Sequence, residues 1–75
     1  MKLFISGFAE ETTVADVAQL FERFGWVTGI RVRMGKKRRY AVVEMMDASD
    51  AETARIELDN QEWHGELLEV RESWW

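Results

Sequence analysis

Residues 38–45, Arg38-Arg39-Tyr40-Ala41-Val42-Val43-Glu44-Met45, alternate in character along the chain, and their reading decides the rest. In an extended strand successive side chains point to opposite faces. Ala41, Val43 and Met45 therefore share one face, which is apolar and reads as core. Arg38, Tyr40, Val42 and Glu44 share the other, which carries an aromatic ring and charges of both signs. A strand over 38–46, buried on one side only, is expected. Upstream, Gly35-Lys36-Lys37 has turn chemistry, which makes a preceding strand over 27–34 the other arm of a hairpin. In that arm Ile30, Val32 and Met34 read as inward, and Arg31 and Arg33 as outward.

The same periodicity extends to both ends. Residues 2–6 form a strand with Leu3 and Ile5 inward and Lys2, Phe4 and Ser6 outward, ended by Gly7. Thr13-Val14-Ala15-Asp16 is a capping box, a hydroxyl followed three residues later by a carboxylate. Behind it, Val14, Val17, Leu20, Phe21 and Phe24 lie on one stripe of a helix over 13–24, with Gly25 as its C′ residue. Ser49-Asp50-Ala51-Glu52 reads as a second capping box. It opens a helix over 50–59 striped by Ala51, Ala54 and Leu58 and closed by Asn60. Residues 67–72 alternate with Leu68 and Val70 inward and Glu69 and Arg71 outward, leaving a tail of 73–75. The order β-α-β-β-α-β predicts an α+β, ferredoxin-like domain over 1–75: a four-stranded antiparallel sheet with two helices on one face.

Charge is unevenly spread over this frame. The net charge is −4, unusual for a nucleic-acid binder, whose domain is normally basic. Residues 1–39 hold eight Lys/Arg against four Asp/Glu, and residues 40–75 hold two against ten. Six of the ten basic residues fall between Arg31 and Arg39, so a cationic face on an acidic body is expected. With no Cys and one His, thiolate metal sites, disulfides and thiol nucleophiles are excluded. The first loop, Phe8-Ala9-Glu10-Glu11, has the wrong charge for a phosphate cradle. No enzyme, cofactor or metal site is expected. The apolar runs fall well short of the roughly 20 residues of a membrane span, and residues 1–7 lack a signal-peptide core. A soluble, cytoplasmic protein, or a nuclear one in a eukaryote, is expected.

The helix-free face carries the chemistry. Phe4 and Tyr40, with Val42, stand outward on strands that this topology places side by side. An aromatic ring there offers a π surface to an unstacked base, an interaction of about 1–3 kcal/mol per base. Arg31, Arg33, Arg38 and Lys2 lie on the same side, where they can meet phosphates. At these residues the chain resembles the RNA recognition motif family. Leu3-Phe4-Ile5-Ser6-Gly7-Phe8 is similar to the family's first-strand hexapeptide, and Arg38 to Met45 to its third-strand octapeptide. Val17, Leu20-Phe21 and Phe24-Gly25 echo its first helix. Residues 58–65, with Trp63 as aromatic anchor, resemble its turn into the last strand. The chain resembles small free-standing bacterial members more than multi-domain eukaryotic ones.

The octapeptide departs from the family pattern at Arg39, where glycine is usual, and at Val42 and Met45, where aromatics are. One stacking platform is therefore missing. The resemblance implies modest-affinity binding of single-stranded RNA, with single-stranded DNA as a related ligand, by a monomer or weak dimer. Two alternatives stand beside it. Trp74 and Trp75 follow the last strand directly and can fold back over the rings. A protein-binding module of the same fold would instead use the acidic half, or Trp63 and the first helix, although its turn, Gln61-Glu62-Trp63, lacks the arginine such modules carry. Trp26, just past the first helix, reads as a partly exposed packing residue.

Overall fold

A computed structural model describes residues 1–73. Its elements are β1 (Lys2–Ser6), α1 (Val14–Glu22), β2 (Val27–Met34), β3 (Arg39–Met45), α2 (Ala48–Leu58), β4 (Glu62–Trp63), β5 (Glu66–Leu67) and β6 (Glu69–Glu72). Four strands form an antiparallel sheet in the order β2-β3-β1-β6. The expected architecture is present, with one addition, a small β4-β5 hairpin. There, His64 (φ 51°) and Gly65 (φ 84°) both adopt left-handed backbone, as a two-residue hairpin turn of the I′ kind requires. The hairpin takes Leu67, so the last sheet strand begins at Glu69 rather than at 67.

Both helices lie on one face. Val17, Leu20 and Phe21 of α1 and Ala51, Ala54 and Leu58 of α2 pack with Leu3, Ile5, Ala41, Val43, Met45, Leu68 and Val70 into a single core. Each large apolar side chain buried there stabilises the fold by about 1.5–3 kcal/mol relative to exposure. Two residues of the expected inward sets stand outside it: Val14, in the first turn of α1, is 49% exposed and Met34, at the end of edge strand β2, is 71% exposed.

The helix ends follow capping chemistry, with two corrections. At α1 the capping box forms reciprocally: the Asp16 amide donates to Thr13 Oγ1 (3.1 Å) and the Thr13 amide to Asp16 Oδ2 (3.0 Å). At α2 the N-cap is Asp47, not Ser49. Its Oδ1 accepts from both the amide and the hydroxyl of Ser49, at 2.9 Å each, which starts the helix two residues before the expected position 50. Gly25 is likewise no left-handed C′ residue, since the positive-φ glycines are Gly7 and Gly65. Helix α1 ends through the Phe24 amide on the Phe21 carbonyl (2.9 Å). A Cβ at 25 would crowd the Asp50 carboxylate and come within 2.8 Å of the Asp50 Cβ, so the Asp50 side chain would have to shift to admit one.

Two long-range contacts set the last strand and the first loop. The Val70 amide and the Arg71 guanidinium both donate to Asp59 Oδ1, at 3.0 and 2.8 Å. The amide of Val70 first, and then Arg71, hold the Asp59 carboxyl below its ordinary value. The folded chain binds that proton less tightly than the unfolded one, so this contribution to stability is full near neutral pH. It is lost as pH falls through the depressed value. In the first loop Arg39 donates to the carbonyls of Glu10 and Thr12 and lies over the Phe8 ring, 5.7 Å from its centroid. The arginine that replaces the family's glycine therefore secures residues 8–12.

Candidate nucleic-acid interface

Register places the outward residues in rows across the sheet. Arg33 pairs with Tyr40, Tyr40 with Ser6, and Ser6 with Glu69; in the next row Arg31 pairs with Val42, Val42 with Phe4, and Phe4 with Arg71. Lys2 pairs with Glu44 in the row below. Lys2, Phe4, Arg31, Arg33, Tyr40, Val42, Glu44, Glu69 and Arg71 are on this face, because the inward partners Leu3, Ile5, Ala41, Val43 and Val70 are fully buried on the other; Ser6 shares the face by register but is buried, and Arg38 falls before β3. Among the described residues no helix or strand covers it. Trp74 and Trp75, the alternative cover, lie outside the described residues.

Phe4 and Tyr40 are diagonal neighbours on adjacent strands. Their rings stack on each other with centroids 5.0 Å apart and planes inclined by 23°. Such a pair contributes about 0.5–1.5 kcal/mol beyond the area it buries, and it fixes both rings in orientation. Beside it, Lys2, Arg31, Arg33, Tyr40, Val42 and Glu44 line a hollow of about 490 Å³. Its rim has three cations against one carboxylate. Among the described residues no ion pair engages Lys2, Arg31 or Arg33, so a local positive field survives on a chain of net charge −4.

Arg38 is placed differently from the other cations. It sits in the β2-β3 loop and reaches across β1 to Glu69, Nη2 to Oε1 at 3.1 Å. Both side chains are about half exposed, so the pair is weak, worth roughly 0.2–1 kcal/mol. A residue the sequence did not assign to the site also lies here: Arg71 borders Phe4 and is held by Asp59. Strand alternation had placed it outward, but its neighbour could be known only from the β1-β6 register.

Residues 3–69 match the family profile described as RNA recognition motif. The chain belongs to that family. A serine/arginine-rich splicing factor of Arabidopsis thaliana is 33% identical to this RNA recognition motif over 72 residues, 96% of the chain but only 24% of that protein. The putative RNA-binding protein RbpD of Nostoc is 29% identical, and here the match covers 97% of this chain and 82% of the relative. The crystal structure of RNA-binding protein PG1 superposes with a TM-score of 0.89 at 31% identity, over 99% of this chain and 94% of that one. Among the described residues no helix is long and apolar enough to cross a membrane.

Proposed function

We propose that the chain binds single-stranded RNA across the sheet face, with Phe4 and Tyr40 stacking bases and Lys2, Arg31 and Arg33 contacting phosphates. The observation that carries the reading is the ring pair, held side by side on the helix-free face and flanked by Lys2, Arg31 and Arg33, which no ion pair among the described residues engages. Membership of the family supports it, as does the similarity to RbpD, a putative RNA-binding protein. Affinity is modest for two reasons. Val42 stands where a further ring would add about 1–3 kcal/mol, and Glu44 and Glu69 on the same face repel phosphate. Arg38 joins the phosphate contacts only by exchanging Glu69 for RNA.

This exchange gives a direct test. Glu69→Gln removes one anion from the face and releases Arg38 from its ion pair. RNA affinity, measured by fluorescence anisotropy with a short labelled oligonucleotide, is expected to rise about twofold to fivefold, the equivalent of a half-exposed ion pair. Thermal stability should fall by no more than about 1 kcal/mol, the upper value of a half-exposed ion pair. Unchanged or weaker binding would remove Arg38 and Glu69 from the interface.

A further inference from the structure

At the end of the sheet remote from the β2-β3 loop, Trp26 and Met46 stand on adjacent loops, 75% and 63% exposed. They are the most exposed tryptophan and one of the most exposed methionines among the described residues, and neither belongs to the sheet-face hollow. The site is held together from both loops. The Met46 amide donates to the Trp26 carbonyl at 3.0 Å. The Asp50 carboxylate rests directly on Gly25, next to the indole in sequence, in the space a Cβ would need. Open hollows flank the indole on two sides. One, of about 460 Å³, is lined by Met46, Asp47, Ala48 and Asp50, and the other, of about 390 Å³, by Glu22, Gly25 and Val27.

The rim decides the occupant. Glu22 lines one of these hollows and Asp47 and Asp50 the other, and among the described residues no ion pair reaches any of them. Asp47 is kept ionised by its Ser49 hydrogen bonds, which lower its pKa. Nucleic acid is disfavoured, because its phosphates would face three carboxylates. A symmetric pairing of two copies is disfavoured as well, because an isologous contact would bring both sets of carboxylates together. A guanidinium suits both features, since it stacks on an indole face and pairs with carboxylates.

We propose that the Trp26 platform is a docking site for a basic segment of a partner protein, with an arginine side chain lying on the indole and its charge met by Glu22, Asp47 and Asp50. The site is separate from the sheet face, and the proposal stands whether or not that face binds RNA.

The test is a residue-resolved NMR titration of the intact chain with the blocked peptide Gly-Arg-Gly-Arg-Gly. Amide and indole signals of residues 22–27 and 46–50 are expected to shift. The same peptide with citrulline, the neutral isostere, in place of arginine should leave them still. Trp26→Ala should weaken binding at least tenfold. Asp47→Asn combined with Asp50→Asn should weaken it at least fivefold, and asparagine at 47 preserves the helix cap. Amide spectra of the variants would show that each remains folded. Shifts confined to other surfaces, equal shifts with the citrulline peptide, or binding indifferent to these substitutions would overturn the proposal. So would shifts at Trp26 that follow protein concentration alone, which would assign the platform to a second copy.

Discussion

Tyr40→Ala is expected to weaken binding of a short single-stranded RNA by about 1–3 kcal/mol, roughly fivefold to 150-fold in Kd. The ring does two things that alanine cannot. It offers its own face to a base, and it fixes the orientation of Phe4 through their stacked contact. Losing that contact lowers stability by only about 0.5–1.5 kcal/mol, small against the roughly 4–11 kcal/mol expected of a 75-residue domain. The variant therefore stays folded, and the binding loss can be read directly. Two companions separate stacking from simple apolar contact. Tyr40→Phe keeps the π face and should bind within about threefold of the parent chain, since the step removes a hydroxyl and no stacked ring. Tyr40→Leu keeps apolar area without a π face and should bind almost as weakly as alanine. Anisotropy at one fixed salt concentration measures all three, and full affinity in the leucine variant would rule out base stacking at this position.

The second large effect concerns the core. Phe21→Ala should destabilise the domain by about 3–5 kcal/mol, the range for emptying a large aromatic site. Phe21 is fully buried and is the largest such side chain described. For a chain of this size each kcal/mol moves the thermal midpoint by about 4–8 °C, so a drop of at least about 12 °C by circular dichroism is expected. Val14→Ala is the control. Valine 14 belongs to the same helical stripe by spacing yet is half exposed, so its loss should fall within about 0.5 kcal/mol. Equal effects at the two positions would contradict the assignment of the core.

Alternation in three strands placed Phe4, Tyr40, Val42, Arg31, Arg33 and Lys2 on one face, and the register agrees at each. Parity is a local property, and one register slip would have inverted a whole strand. Capping of α1 was equally legible, because the Thr13-Asp16 exchange closes within four residues. The cap of α2 was not, because Asp47 and Ser49 have equally good capping side chains and only the path of the chain leaving β3 selects the first. The β4-β5 hairpin hid in a charged stretch where two-residue strands leave no periodicity. The partners of the arginines were also beyond reach. Arg38 finds Glu69, Arg71 finds Asp59 and Arg39 finds the Glu10 and Thr12 carbonyls, all contacts between segments far apart in sequence. Gly25 looked like a helix terminator because glycine often is one; what lies against it instead is the Asp50 side chain of the other helix.

In the proposed binding mode one side of the sheet, and no other surface, receives single-stranded RNA. A residue-by-residue NMR titration with an unstructured mixed-sequence oligonucleotide at low salt tests it most directly. Signals of Lys2, Phe4, Arg31, Arg33, Tyr40 and Val42 should move together and saturate, while those of α1 and α2 facing away from the sheet stay in place. A spectrum unmoved by excess RNA, or changes gathered around Trp63, His64 and α1, would contradict it.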